Sequence, residues 1–206
     1  AEFGILVMMA CHRVDHASWP GEGLWYGGAI TEERVLASWS RVAQALCPHW
    51  NVFAADLQNE PHAASWGKGL GSDWGAAASR IGNHVLSQCE RWLIFVEGVG
   101  YWPGARDYDD GGAGIWWGEN LYGARSAPVR LRDPAKLVYS PHTYGPSVYM
   151  QRYFEAASFP SNLAKIWDER FAYLQRLHAA PVVVGEMGGF YTGLDKEWQD
   201  WAIDFL

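Results

Sequence analysis

Short apolar runs alternate with amphipathic helical runs along this 206-residue chain, and that alternation restricts the fold more than any single motif. Gly4 to His12, built on Ile5-Leu6-Val7-Met8-Met9-Ala10, reads as a first strand, and Thr31-Glu32-Glu33-Arg34 opens a helix that runs to Leu46. Val52-Phe53-Ala54-Ala55-Asp56-Leu57 is a second strand, followed by a helix from about Asp73 to Cys89 with Trp74, Ala77, Ala78, Ile81, Val85 and Leu86 on one face. Trp92 to Glu97 is a third strand, Lys136 to His142 a fourth and Pro181 to Glu186 a fifth, with helices over Asn162 to His178 and Leu194 to Leu206. A long Gly-, Asp- and Trp-rich loop from Gly98 to Pro134 replaces one helix, and a loop of that length in a compact domain usually walls a functional cleft. Strand-helix alternation requires parallel pairing, which leaves a doubly wound sheet or a (β/α) TIM-type barrel. Polar residues stand at all five strand ends: His12, Asn59-Glu60, Glu97, His142 and Glu186. Barrel sites draw on many strand ends, whereas an open sheet uses mainly its switch point, so the barrel is expected.

Composition narrows the partner. The chain is 49% hydrophobic with a net charge of -7, which disfavours nucleic acid and anionic membranes, both of which reward clustered Lys and Arg. No run reaches the length of a membrane span, and no basic start followed by an apolar core marks a signal peptide. A neutral ligand fits better. The 13 tryptophans offer flat faces suited to sugar rings, although many must belong to the core. Cys11, Cys47 and Cys89 have no zinc spacing, and neither a metal nor a cofactor is expected. Cys11 reads as a buried thiol; Cys47 and Cys89 each close a predicted helix, where a disulfide is one option.

Glu60 and Glu186 each follow an apolar strand, so both carboxylates should reach one sheet edge. Cleavage of a glycosidic bond needs such a pair, one group to protonate the leaving oxygen and one to attack or support the anomeric carbon.

Leu57-Gln58-Asn59-Glu60-Pro61-His62, Phe95-Val96-Glu97-Gly98, Tyr139-Ser140-Pro141-His142-Thr143-Tyr144 and Val184-Gly185-Glu186-Met187-Gly188 resemble, in order and spacing, the strand-end motifs of glycoside hydrolase family 5, nearest to its endo-β-1,4-glucanases. His12-Arg13 and Trp25-Tyr26 extend the likeness. The resemblance implies a single catalytic domain over residues 1–206, a truncated barrel matching the third to seventh of eight strands. The first two strands with the family's arginine, and the eighth with its platform tryptophan, have no counterpart. That implies a fragment of a longer gene or open edges covered by another chain, for example in a homo-oligomer.

By the same resemblance Glu60 is the acid/base and Glu186 the nucleophile of a retaining hydrolase, Asn59 binds the sugar 2-hydroxyl, Tyr144 donates to the nucleophile, and His12 and His142 contact ring hydroxyls or carboxylates. Glu97 is expected to support them by hydrogen bonding. Trp25, Trp66, Trp102, Trp116 and Trp117 lie in loops after strands and are the candidates for sugar stacking. The expected partner is a β-glucan polysaccharide or oligosaccharide, and secretion follows from a polymeric substrate. The rivals are a hydrolase of another β-glycan, such as mannan or xyloglucan, and an inactive carbohydrate-binding protein of the same descent.

Overall fold

The computed structural model describes residues 3–17, 23–100 and 114–206. Strands β1 (Val7–Ala10), β2 (Val52–Asp56), β3 (Leu93–Val96) and β4 (Leu137–Tyr139) form a parallel sheet in the order β1-β2-β3-β4. Beside it β5 (His142–Tyr144) and β6 (Glu186–Gly188) pair in parallel, with His142 opposite Glu186. Space follows sequence without the reversal that creates a switch point, which is how a barrel wall is built.

Successive strand residues point to opposite faces. Ala55, Leu57, Ile94, Val96, Leu137 and Tyr139 join the main core. Helix α2 (Trp74–Gln88) packs into that core through Trp74, Ala77, Ala78, Ile81 and Val85, the predicted apolar stripe. Ala54, Phe95 and Val138 make a smaller cluster on the opposite face. Asp56 sits in register with Phe95, and Glu97 lies two residues beyond Phe95, so both carboxyls project from that second face.

Local chemistry starts the helices where the sequence suggests. The Thr31 side chain accepts from Arg34 N–H at the head of α1 (Glu32–Leu46), and Asp73 accepts from Ala76 N–H, Gly67 N–H and Gly69 N–H at the head of α2. A disulfide joins Cys47 to Cys89, tying the C-terminal ends of the two helices.

Three expectations change. The fifth predicted strand, Pro181 to Glu186, keeps only the Val182 bridge to Tyr139, and the strand that forms, β6, begins at Glu186. The fourth predicted strand breaks at Ser140-Pro141 into β4 and β5, because Pro141 has no N–H for the ladder. Tyr139 bridges Val182, then His142 pairs with Glu186, so the second chain carries one extra residue between the two pairings. The predicted helix over Asn162 to His178 divides into α3 (Leu163–Trp167), a π turn over Asp168–Ala172 and α4 (Tyr173–Arg176). The wider turn accompanies Arg170, buried against Glu119 at 2.6 Å. The last helix, α5 (Leu194–Phe205), buries Trp198 and Ala202.

Candidate active site

Every strand end named above except that of β1 delivers a side chain into one cluster. Glu60 follows β2 in left-handed backbone, φ 46°, an arrangement that costs a non-glycine residue about 1–2 kcal/mol. Its N–H donates to Glu97 Oε2 at 2.7 Å, and one carboxylate oxygen lies 3.1 Å from His142 Nδ1. On its other side His142 presents Nε2 to Glu97 Oε1 at 3.4 Å. Glu186 accepts a short hydrogen bond from the Tyr144 hydroxyl, and its Oε2 lies 3.8 Å from His142 Nδ1. An oxygen of each glutamate and a ring nitrogen of His142 all fall within 4.8 Å of one another.

Burial separates the members. Glu97 and His142 are fully enclosed, Glu60 is partly so, and the Glu186 side chain is 42% exposed. Burial, then the charge of Asp56, drives the Glu97 carboxyl well above the usual carboxylate range. Burial pushes Asp56 up to about 7, with His142 pulling the other way. Burial and the bond to Glu186 push the Tyr144 phenol far up, so it stays a donor. Glu60, His142 and Glu186 are also the cluster of possible metal donors among the described residues. Their atoms already engage one another and Tyr144, an arrangement for moving protons, and we assign it no cation.

A cleft of about 570 Å³ opens over Glu60, walled by Trp116, Trp117, Tyr144, Val148 and Tyr149. Trp116 meets the Tyr144 ring edge-on at 5.4 Å, and Trp117, 41% exposed, stacks on His62 at 3.7 Å. The strip that carries both is pinned beside Glu97 by Gly98 N–H to Gly118 C=O and by the Val99–Asn120 pairing. Gly118 is required: a Cβ there would lie 2.9 Å from Glu97 Oε2, and its φ is 79°.

Asn59 is buried at the same edge, its N–H bonded to Cys11 C=O. His12 stands exposed beyond β1, one strand further out. Trp102 lies outside the described residues. Two tryptophans are corrected. Trp25 is 1% exposed, packs on Trp74 and donates to Glu32; Trp66 is 1% exposed and donates to Ala127 C=O. Both are core. The Trp66 loop folds inward because Gly75 and Gly123 leave room, a Cβ at either position coming within 2.6 Å of the Trp66 side chain. The sequence reading missed Asp56, whose signal was a lone carboxyl inside an otherwise apolar strand, and the cleft wall at Val148 and Tyr149.

Parallel strands delivering two glutamates to one open edge give the arrangement that cleavage of a glycosidic bond needs, on a (β/α) barrel wall. Comparison with known proteins agrees. The family model of the cellulases, glycosyl hydrolase family 5, matches residues 1–206, and the chain belongs to that family, whose fold is the (β/α)8 barrel. It is 40% identical over 212 residues to an endoglucanase of Paenibacillus polymyxa, covering 98% of this chain and 51% of the relative. It is 38% identical to the major extracellular endoglucanase of Xanthomonas campestris pv. campestris, covering 100% and 42%. The chain thus spans about half the length of the curated relatives it matches. Among solved structures, an endocellulase from the archaeon Pyrococcus horikoshii superposes with a TM-score of 0.91 at 40% identity, over 99% of this chain and 59% of that one. A variant of the Pyrococcus horikoshii endocellulase in complex with cellotetraose gives 0.90 at 39% identity, over the same shares.

Proposed function

We propose that this chain is a single catalytic domain carrying the working edge of an endo-acting β-1,4-glucan hydrolase that retains anomeric configuration, with Glu60 as acid/base and Glu186 as nucleophile. The observation that carries the reading is the approach of the two carboxylates to within 4.8 Å. Retention needs carboxyl groups about 5–5.5 Å apart so that one attacks the anomeric carbon directly; inversion needs a gap wide enough for water. In the first step Glu60 gives its proton to the glycosidic oxygen while a Glu186 oxygen bonds the anomeric carbon and the leaving chain departs. In the second, Glu60 takes a proton from water, the water oxygen bonds that carbon, and Glu186 is released. Tyr144 holds the Glu186 oxygen through its donated hydrogen bond. Asn59 is assigned to the 2-hydroxyl, His142 and His12 to ring hydroxyls, and Trp116 and Trp117 to stacking.

A linear glucan is the preferred substrate because the cleft wall is flat and aromatic and the cellotetraose-bound neighbour is an endocellulase. Secretion is supported by the disulfide, which persists in oxidising compartments, and by the name of the Xanthomonas relative. A homo-oligomer that covers the outer edges of β1 and β6 remains part of the proposal, and light scattering tests it: a dilution-resistant monomer ends it.

The deciding experiment treats the purified chain with carboxymethyl cellulose and follows the anomers of cello-oligosaccharide products by NMR. Release of the retained anomer, lost in Glu186→Gln, is expected. Inverted product, or activity only on mannan or xyloglucan, overturns the mechanism or the substrate respectively. Quenching of tryptophan fluorescence by cello-oligosaccharides without any hydrolysis would move the chain to the binding class.

A further inference from the structure

Asp56 and Glu97 are buried at 3% and 1% exposure, on the same sheet face, directly beneath Glu60. Two carboxyls so placed cannot both be ionised without a cation, since removal from water and mutual repulsion both oppose the second charge. Among the described residues, the titratable groups facing the pair include Cys11, Glu60, His142, Tyr144 and Glu186, and of these five only His142 can carry positive charge. His142 is itself shared with Glu60 and Glu186. One proton therefore stays on the pair, and it sits on Glu97, the more enclosed of the two and the carboxyl that burial and the neighbouring Asp56 charge drive further up.

We propose that Asp56 and Glu97 together form the positioning device of Glu60, a role that rests on Glu60 being the acid/base. Glu97 grips that residue at two points. Oε2 accepts the Glu60 N–H at 2.7 Å and so holds the left-handed backbone, while Oε1 faces His142 Nε2 at 3.4 Å and sets the ring whose other nitrogen meets the Glu60 carboxylate at 3.1 Å. Glu97 is in turn fixed from outside: Trp74 Nε1–H donates to its backbone carbonyl at 3.0 Å, and Gly118 packs flush against its carboxyl. Neither Asp56 nor Glu97 lines the cleft. Their effect on catalysis passes through Glu60 and His142. Because Glu97 serves as a neutral group, glutamine can replace it: the amide oxygen accepts from Glu60 and the amide N–H donates to Asp56.

The test compares Glu97→Gln with Glu97→Met, which keeps the volume but removes both acceptors, using kcat/KM on cello-oligosaccharides and on an aryl cellobioside whose leaving group needs no proton. Glu97→Met should lose about 10- to 100-fold on the oligosaccharide, up to the lower end of what general acid catalysis contributes because Glu60 itself is kept, and under about threefold on the aryl substrate. Glu97→Gln should stay within about threefold of the parent on both. Equal losses on the two substrates, or no loss, would overturn the proposal; so would a Gln variant as impaired as Met, and the Gln variant decides alone if Met fails to fold. Infrared difference spectra need no activity: the parent at pH 7 should show a protonated-carboxyl band that is absent from Glu97→Gln, and its absence from the parent overturns the shared proton. If Glu60→Gln itself loses equally on both substrates, the acid role of Glu60 falls instead, and the infrared arm still judges the pair.

Discussion

The centre of the sheet and its two flanks are built to different standards. In β2, β3 and β4 most residues are buried, α2 covers one face, and a second apolar cluster fills the other. β1 and β6 each have one strand partner and hold no fully buried residue, and Ile5, Leu6 and Val183 beside them are about half exposed or more. Beside β1 a hollow of about 580 Å³ opens between Met9, Val14, Ile30 and Trp39. The division runs through the active site. Glu60 rises from the packed centre with Glu97 and His142 under it, whereas Glu186 opens the flanking strand and leans on Tyr144. With the roles proposed for Glu60 and Glu186, precision in the acid and reach in the nucleophile come from different parts of the sheet.

The largest effect that sharpens this contrast is chemical. Glu60→Gln and Glu186→Gln should each lower kcat/KM on cello-oligosaccharides by at least about 10²-fold, but on an activated aryl cellobioside only the Glu186 variant should stay inactive. Steady-state kinetics on the two substrates checks this. Equal behaviour of the two variants would erase the distinction. Next comes packing. Trp74→Ala in the centre should cost about 3–5 kcal/mol by urea unfolding, and Val183→Ala on the flank about 0.5 kcal/mol or less. A flank as sensitive as the centre would mean that it is covered in solution, as an oligomer would cover it.

Cross-linking comes third. Replacing Cys47 and Cys89 together with serine should remove about 2–4 kcal/mol, since the bond closes a loop of 42 residues between the helices of the packed half. Urea unfolding measures it. The smallest effect is titration. Glu97 keeps the first proton of the pair, and Asp56, whose carboxyl burial pushes up to about 7 in the fold against 3.8 for an ordinary aspartate, takes up a second as pH falls below that value. A raised folded pKa means that this contribution to stability is complete below about pH 4 and is lost as pH rises through 7. Asp56→Asn should flatten that decline by about 1–3 kcal/mol, read from urea midpoints at pH 4 and pH 8. An unchanged slope would assign the burden to Glu97.

The same contrast decides what could be read from sequence. β2, β3 and α2 were legible because buried elements carry strict apolar periods, and the polar residues that interrupt them, Asn59-Glu60 and Glu97, therefore stood out. The fourth strand was legible as apolar but not as broken, since the consequence of Pro141 depends on a neighbour distant in sequence. Trp25 and Trp66 were misplaced because loop position is local, whereas burial depends on partners distant in sequence: Trp25 packs on Trp74, and glycines at 75 and 123 let the Trp66 ring in. Among the proposed site residues, Glu60, His142, Tyr144 and Glu186 come together in space; Asp56 was hidden because nothing in its own strand reveals a second carboxyl across the ladder.

The left-handed backbone at Glu60 has a consequence for directed evolution. Glycine adopts a φ of 46° freely, so Glu60→Gly releases conformational strain of about 1–2 kcal/mol while deleting the proposed acid. A library of this chain screened for heat resistance alone should therefore enrich clones that lack the proposed acid/base, and β-branched replacements should vanish from it for reasons unconnected with chemistry. Position 60 is a place where thermal survival and turnover must be selected in the same round.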